Sequence, residues 1–273
     1  MIANKEYFYS RFIGKLATLP AKPPNNQAKG QLDMIDLVAR QIQILRAIIE
    51  EFIETGLPVG SDTIDKKYNI GVSPATIRNE MVYLTDHGYL SKEHSSSGRM
   101  PTPLALKLYV NELMKEEELS VADEVGVKEK IWRYRNELDD LLYEATRVLA
   151  DRSKALGIAL TDQRRLYHSG YSNLLKMPEF YDINTMRHAL SLIEEVSLME
   201  EIFNFSSSEN PVHIVFGRDL GNRYLEQMGV VYMTIDAAGH KSKIGVIGSC
   251  RFDYPYVIPM MKYFKGLIEE MVR

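Results

Sequence analysis

From Asp33 to Thr55 the apolar residues Ile35, Val38, Ile42, Leu45, Ile48, Ile49 and Phe52 recur at helical spacing. One face of an amphipathic helix results, stopped at Gly56 with Pro58 beyond it. Ser61 can cap a second helix with Ile64 and Tyr68 on its inner face, and a turn over 68–72 follows. Ser73 and Pro74 are the residue types of an N-cap and a first helical turn. They open a third helix whose inner face is Ile77, Met81 and Leu84. Gly88 ends it, Gly88-Tyr89-Leu90 leads into a short strand, and Ser95-Ser96-Ser97-Gly98 makes a turn before Arg99 to Pro103 leads out. Three helices followed by a hairpin is the pattern of a winged helix-turn-helix.

The pattern then lengthens. Asp123 to Leu156 reads as one long helix, with Ile131, Leu138 and Ala145 seven apart and Tyr134, Leu141 and Val148 offset by three. This short a/d seam suits either packing within its own domain or a coiled coil between two chains. Further on, the runs 214–217, 230–236 and 243–249 are short, β-rich and Gly-bounded, flanked by helical patterns over Asn184–Phe203 and Tyr256–Val272. The fold class is therefore α+β: an N-terminal winged helix-turn-helix, a long connecting helix and a C-terminal domain with a small sheet. The boundaries expected are 1–30 for a basic tail and linker, 31–115 for the winged helix-turn-helix, 116–160 for the connecting helix and 161–273 for the last domain.

Composition narrows this. The 273 residues carry a formal net charge of −4, so bulk charge cannot hold nucleic acid and any such contact must be local. The charge is uneven. Residues 1–30 hold Lys5, Arg11, Lys15, Lys22 and Lys29 against Glu6, and the Pro- and Asn-rich stretch 20–30 reads as a linker. This basic start is either a poorly ordered tail or a DNA-contacting arm. Cys250 is the single cysteine, which excludes an intrachain disulfide and a multi-cysteine zinc site. No stretch is apolar enough to span a membrane and no secretory core opens the chain, so a cytoplasmic protein is expected.

The helix-turn-helix carries the chemistry. A third helix can enter the major groove and reach base edges from its N-terminal turns. With Ile77, Met81 and Leu84 inward, Thr76, Arg78 and Asn79 face out; Arg pairs with guanine and Asn with adenine. Ser73 can donate to phosphate beside the free N–H groups there, and Ser61 joins it as a candidate at the second helix start. The wing offers His94, Ser95, Ser96, Ser97 and Arg99, which suits phosphate or minor-groove contact. The alternative is a protein-interaction module, and residues 58–107 hold six basic and five acidic residues, so charge does not separate the two.

Four segments stand in order over forty-five residues: Pro58-Val59-Gly60-Ser61, Ala75-Thr76-Ile77-Arg78-Asn79, Gly88-Tyr89-Leu90 and Gly98-Arg99-Met100-Pro101-Thr102. This run closely resembles the DNA-binding domain of the heat-inducible transcription repressor family, HrcA. Residues 169–180 look like the family's segment before its C-terminal regulatory helix, and 244–258 look like its later strand signature. Three departures stand out. The wing is followed by Leu104-Ala105-Leu106-Lys107-Leu108-Tyr109-Val110 where the family usually has Gly-Tyr-Arg before Tyr-Val. Ser249-Cys250 replaces a Gly-Pro. The long helix runs almost directly into 169–180, whereas full-length relatives carry more chain there, including an inserted dimerisation domain. The resemblance thus implies a shortened member.

It further implies a GAF-like C-terminal domain, repression of heat-shock chaperone operons through an inverted-repeat operator bound by a homodimer, and support by the chaperonin GroEL. The competing class is a regulator whose GAF-like domain senses a small molecule. Neither reading calls for catalysis, a cofactor or a metal. His87 and His94 lack a ligand set, Glu194, Glu195, Glu200 and Glu201 read as a solvated helix face, and Cys250 as a buried structural thiol. Arg251, Asp253 and Tyr254 form a polar cluster that suits a dimer or effector surface, or else an internal corner joining sheet to helix.

Overall fold

The computed structural model describes residues 37–92, 98–205, 211–237 and 239–272. The N-terminal tail, and with it the basic arm and linker over 1–30, lies outside the described residues.

Helix α1 (Ala39–Thr55) buries Ile44, Leu45, Ile48, Ile49 and Phe52 and ends where the sequence places its stop. Gly56 takes φ 70° there, and its N–H donates to the Phe52 carbonyl at 2.8 Å. Helix α2 (Ser61–Tyr68) turns Ile64 inward. Helix α3 (Pro74–Asp86) closes on Gly88, whose N–H meets the Thr85 carbonyl at 3.0 Å while Tyr89 N–H reaches Leu84 at 2.9 Å. That is a Schellman ending, and it needs the left-handed φ of 78° at Gly88. Both Leu84 and Tyr89 are buried, so the same turn aims the chain into the wing strands β1 (Leu90–Ser91) and β2 (Met100–Pro101). Thr102 then caps α4 (Pro103–Leu108) and also donates to the Gly88 carbonyl at 2.7 Å.

The long connecting helix is not continuous. Helix α5 (Val121–Trp132) and helix α6 (Leu138–Ser153) are separated by tight turns over 133–137. No Gly or Pro marks the break. It forms because α5 folds back on α6: Val127 and Ile131 of the first, and Leu141, Leu142, Ala145, Val148 and Leu149 of the second, join one core. Asp123 pairs with Arg152, and Lys130 with Asp151 at 3.3 Å, across the two helices. The predicted helix over Asn184–Phe203 is likewise two, α8 (Ile183–Ile193) and α9 (Val196–Phe203), after the single turn α7 (Tyr171–Leu174).

The sheet is larger than the sequence suggests. Five antiparallel strands run in the order β4 (Leu166–Ser169), β3 (Leu156–Leu160), β7 (His240–Ser249), β6 (Met228–Ala237) and β5 (Val212–Phe216). The sheet domain therefore reaches back to Leu156, and a boundary at 160/161 falls inside the β3–β4 hairpin. Alternation along each strand separates two cores. Val231, Met233, Ile244 and Val246 face α6 and α10 (Tyr254–Met271), in a core continuous with the winged helix. Val230, Tyr232, Leu156, Ile158 and Ile247 face α8 and α9. Among the described residues no helix is long and apolar enough to cross a membrane.

Candidate nucleic-acid interface

Helix α3 has one anchored face and one open face. Ile77, Met81 and Leu84 are buried, and so is Glu80. Gln41 Nε2 donates to Glu80 Oε2 at 3.0 Å, and Arg40 Nε donates to Oε1 at 2.9 Å. The Gln41 hydrogen bond, opposed by burial and reinforced by the Arg40 guanidinium, holds the Glu80 carboxyl below its usual range. This clamp fixes α3 against α1. The visible signal for it was a carboxylate one position from Met81 on an otherwise apolar face. A second buried carboxylate, Glu51, accepts from Lys67 at 2.7 Å and from the Tyr68 hydroxyl at 3.3 Å, tying α2 to α1.

On the open face, Ser73, Arg78 and Asn79 are exposed and Thr76 is half-buried. Ser73 Oγ accepts from Thr76 N–H at 3.2 Å, the expected N-cap. These four residues share the N-terminal turns of one helix. Ser61 does not join them. Gly60 is the N-cap of α2, and Ser61 is its first residue, only 6% exposed, because the helix start is packed inward.

The wing candidates divide. His94, Ser95, Ser96 and Ser97 lie outside the described residues. Arg99 is half-buried at the wing base; it pairs with Val59 through two backbone hydrogen bonds of 2.9 Å, and its Nε donates to Thr85 Oγ1 at 3.1 Å. Arg99 thus braces the wing on α3.

The polar cluster in the last domain is the internal corner. Tyr254 is fully buried and its hydroxyl donates to the Cys250 carbonyl at 2.7 Å, so it cannot belong to a dimer or effector surface. Burial raises its phenol well above the ordinary value. Arg251 is also withdrawn: its Nε donates to Glu179 and its Nη1 to the Ile53 carbonyl, at 2.8 Å, at the end of α1. The guanidinium lies where a side chain on Gly56 would stand, 2.9 Å from an added Cβ. Only Asp253 of the three remains exposed. Burial opposes ionisation of Glu179, but hydrogen bonds from Arg251 and Ser249 outweigh it and its carboxyl is held low. Helix α1 therefore has Glu80 of α3 at one end and Arg251 of the sheet domain at the other. Only tertiary contact could reveal the partners, since Ile53 and Arg251 are far apart in sequence.

Other titratable groups are structural. Cys250 is buried and its thiol is pushed up to about 11 by burial, so it is a poor nucleophile. His87 bonds the Tyr83 carbonyl at 2.7 Å and stacks on the Tyr83 ring. Among the described residues no group of His, Cys, Asp or Glu could hold a metal ion.

Comparison with known proteins gives this geometry a family. A model described as the HrcA protein C-terminal domain matches residues 93–258. The heat-inducible transcription repressor HrcA of Symbiobacterium thermophilum is 27% identical, over 86% of this chain and 98% of its own length. That alignment runs to 335 positions, more than the 273 residues here, so the relative carries internal sequence this chain lacks. The Clostridium tetani repressor of the same name is 44% identical over 47% of this chain, which is 37% of its own length. A crystal structure of a hypothetical protein superposes with a TM-score of 0.67 at 17% identity, over 86% of this chain and 98% of that one, and shares the fold. With its model covering more than half of the residues, the chain belongs to the HrcA family, whose curated members are transcription repressors and not enzymes.

Proposed function

We propose that this protein represses heat-shock chaperone operons by binding an inverted-repeat operator as a homodimer, and that the chaperonin GroEL maintains its active state. The observation that carries DNA binding is the open face of α3: Ser73, Thr76, Arg78 and Asn79 on its first turns, with the opposite face clamped through Glu80. A pre-placed helix of this kind suits a near-neutral domain, because specificity then comes from aimed donors rather than from bulk charge. One winged helix makes a small interface, and two copies read two half-sites. Packing on both faces of the sheet supports a chaperonin-dependent regulator over a ligand sensor, since Val231 and Val246 on one side and Val230 and Ile247 on the other are buried against helices.

The test is a gel shift of the purified protein against the DNA upstream of its own gene, with and without GroEL. The expected result is a specific shift whose active fraction rises with GroEL and falls when an unfolded competitor occupies the chaperonin. Absence of any specific shift in both conditions would overturn the reading.

A further inference from the structure

We infer that the C-terminal domain contributes its own DNA-phosphate site, at a basic cleft beside the base of the wing. The inference rests on the operator-binding reading above. A cleft of about 560 Å³ opens between the end of β1 and the segment joining β5 to β6. Ser91 and Lys92 line it from the wing side, and Arg218, Asn222, Arg223 and Glu226 from the sheet domain. Among the described residues that line it, three cations face one carboxylate.

The neutralisation is incomplete. Glu226 stands 3.9 Å from Arg218 Nε, and both side chains are well exposed, so the pair is weak. Arg223 lies against the Tyr224 ring, 4.7 Å from its centroid, and donates to the Tyr224 hydroxyl at 2.6 Å. Among the described residues neither Lys92 nor Arg223 has an acidic partner. The nearby Asp219 is engaged elsewhere, by Lys107 of α4 at 3.1 Å. On a chain with a net charge of −4, a cluster of unbalanced cations in one cleft is a local anion-binding feature.

The cleft is also held in place. Asp219 accepts from Phe216 N–H at 3.3 Å, Asn222 Oδ1 accepts from Tyr224 N–H at 3.0 Å, and Leu225 N–H reaches the Asn222 carbonyl at 2.9 Å. Leu220 and Leu225 anchor the segment in the sheet core. The Lys107–Asp219 bridge ties it to the helix that follows the wing. Arg218 and Arg223 thus stand across the cleft from Lys92, the residue that leads into the wing. On the operator-binding reading, Lys92 puts the cleft at the root of the wing, where its charges can act on nearby phosphates over a screening length of about 8 Å. The lining is polar and open rather than apolar and enclosed, which suits a phosphate strand rather than a sequestered small molecule.

The experiment measures affinity for the upstream operator duplex by fluorescence anisotropy over a series of salt concentrations. Wild type is compared with Arg218→Ala/Arg223→Ala, Glu226→Lys and Arg78→Ala. The double variant should bind roughly 5- to 20-fold more weakly, with its salt slope reduced by about 2, because each phosphate contact contributes about 0.9. The loss should be equal for operators carrying different base changes and should vanish on a duplex trimmed to the recognition core. Glu226→Lys should tighten binding and steepen the slope, a gain that misfolding cannot produce. If wild type binds and Arg78→Ala weakens it, while the double variant and Glu226→Lys keep wild-type affinity and slope, the cleft is not a DNA contact. If wild type binds no operator, the operator-binding reading falls, and this inference with it.

Discussion

Arg78 and Arg251 serve opposite ends of one structural unit. Arg78 projects from the exposed face of α3, and among the described residues no side chain pairs with it. Arg251 is withdrawn between Glu179 and the last turn of α1, its side chain 16% exposed. Both sit in short polar motifs, and both are reached through α1, which holds Glu80 of α3 near its start and meets Arg251 at its end. The difference teaches that the two domains are joined by a buried ionic corner, whereas Arg78 and Asn79 on the open face of α3 stay at the surface. A charge kept exposed is available to a partner. A charge buried with its partner fixes geometry and is costly to disturb.

The comparison breaks most visibly in stability. Arg251→Ala should cost about 3 kcal/mol or more, since it leaves the Glu179 carboxylate buried and unpaired. Arg78→Ala should stay within about 0.5 kcal/mol of wild type, as expected of an exposed site. Urea denaturation of the two variants checks this; equal losses would erase the distinction.

DNA affinity should show the reverse order. In binding titrations carried out where both variants are folded, Arg78→Ala should lose about 1–3 kcal/mol in a manner that depends on operator sequence. A uniform loss across sequences would make Arg78 a phosphate contact instead.

Acid sharpens the contrast by a smaller amount. Glu179 and Glu80 both have carboxyls held below the ordinary 4.5. A depressed folded value contributes stability above the unfolded pKa and loses it as pH falls through the folded one. Unfolding free energy of wild type should therefore decline below about pH 4.5, and Arg78→Ala should run parallel to it. Arg251→Ala should decline less steeply, because Glu179 has lost the main contact that keeps it ionised. An unchanged slope in that variant would show that Arg251 does not set the Glu179 charge.

Much of the N-terminal half was legible because its signals are local. The αL stop at Gly56, the Ser73 cap and the Gly88 ending each depend on a few adjacent residues. The open positions Thr76, Arg78 and Asn79 follow from helical period, and Ser73 from its place as the cap before Pro74. Ser61 was misplaced because a cap residue and the first residue of a helix differ by one position but point in different directions. The pattern reads as a single long helix, where the structure has two, because the break carries no Gly or Pro to signal it; α5 and α6 part because folding back buries Val127 and Ile131 in the core that α6 joins. The strands β3 and β4 were missed for a related reason, as Leu156–Leu160 is a short apolar run that pattern cannot tell from the end of a helix.

The sequence by itself determined the winged-helix segment, the α+β class and the family, because caps, periodicity and ordered motifs are encoded within a few neighbouring residues. Tertiary structure alone decided which polar groups are offered outward. Arg251 and Tyr254 became an interdomain corner, and Lys92, Arg218 and Arg223 came to share one cleft, because residues distant in the chain meet only when the core closes.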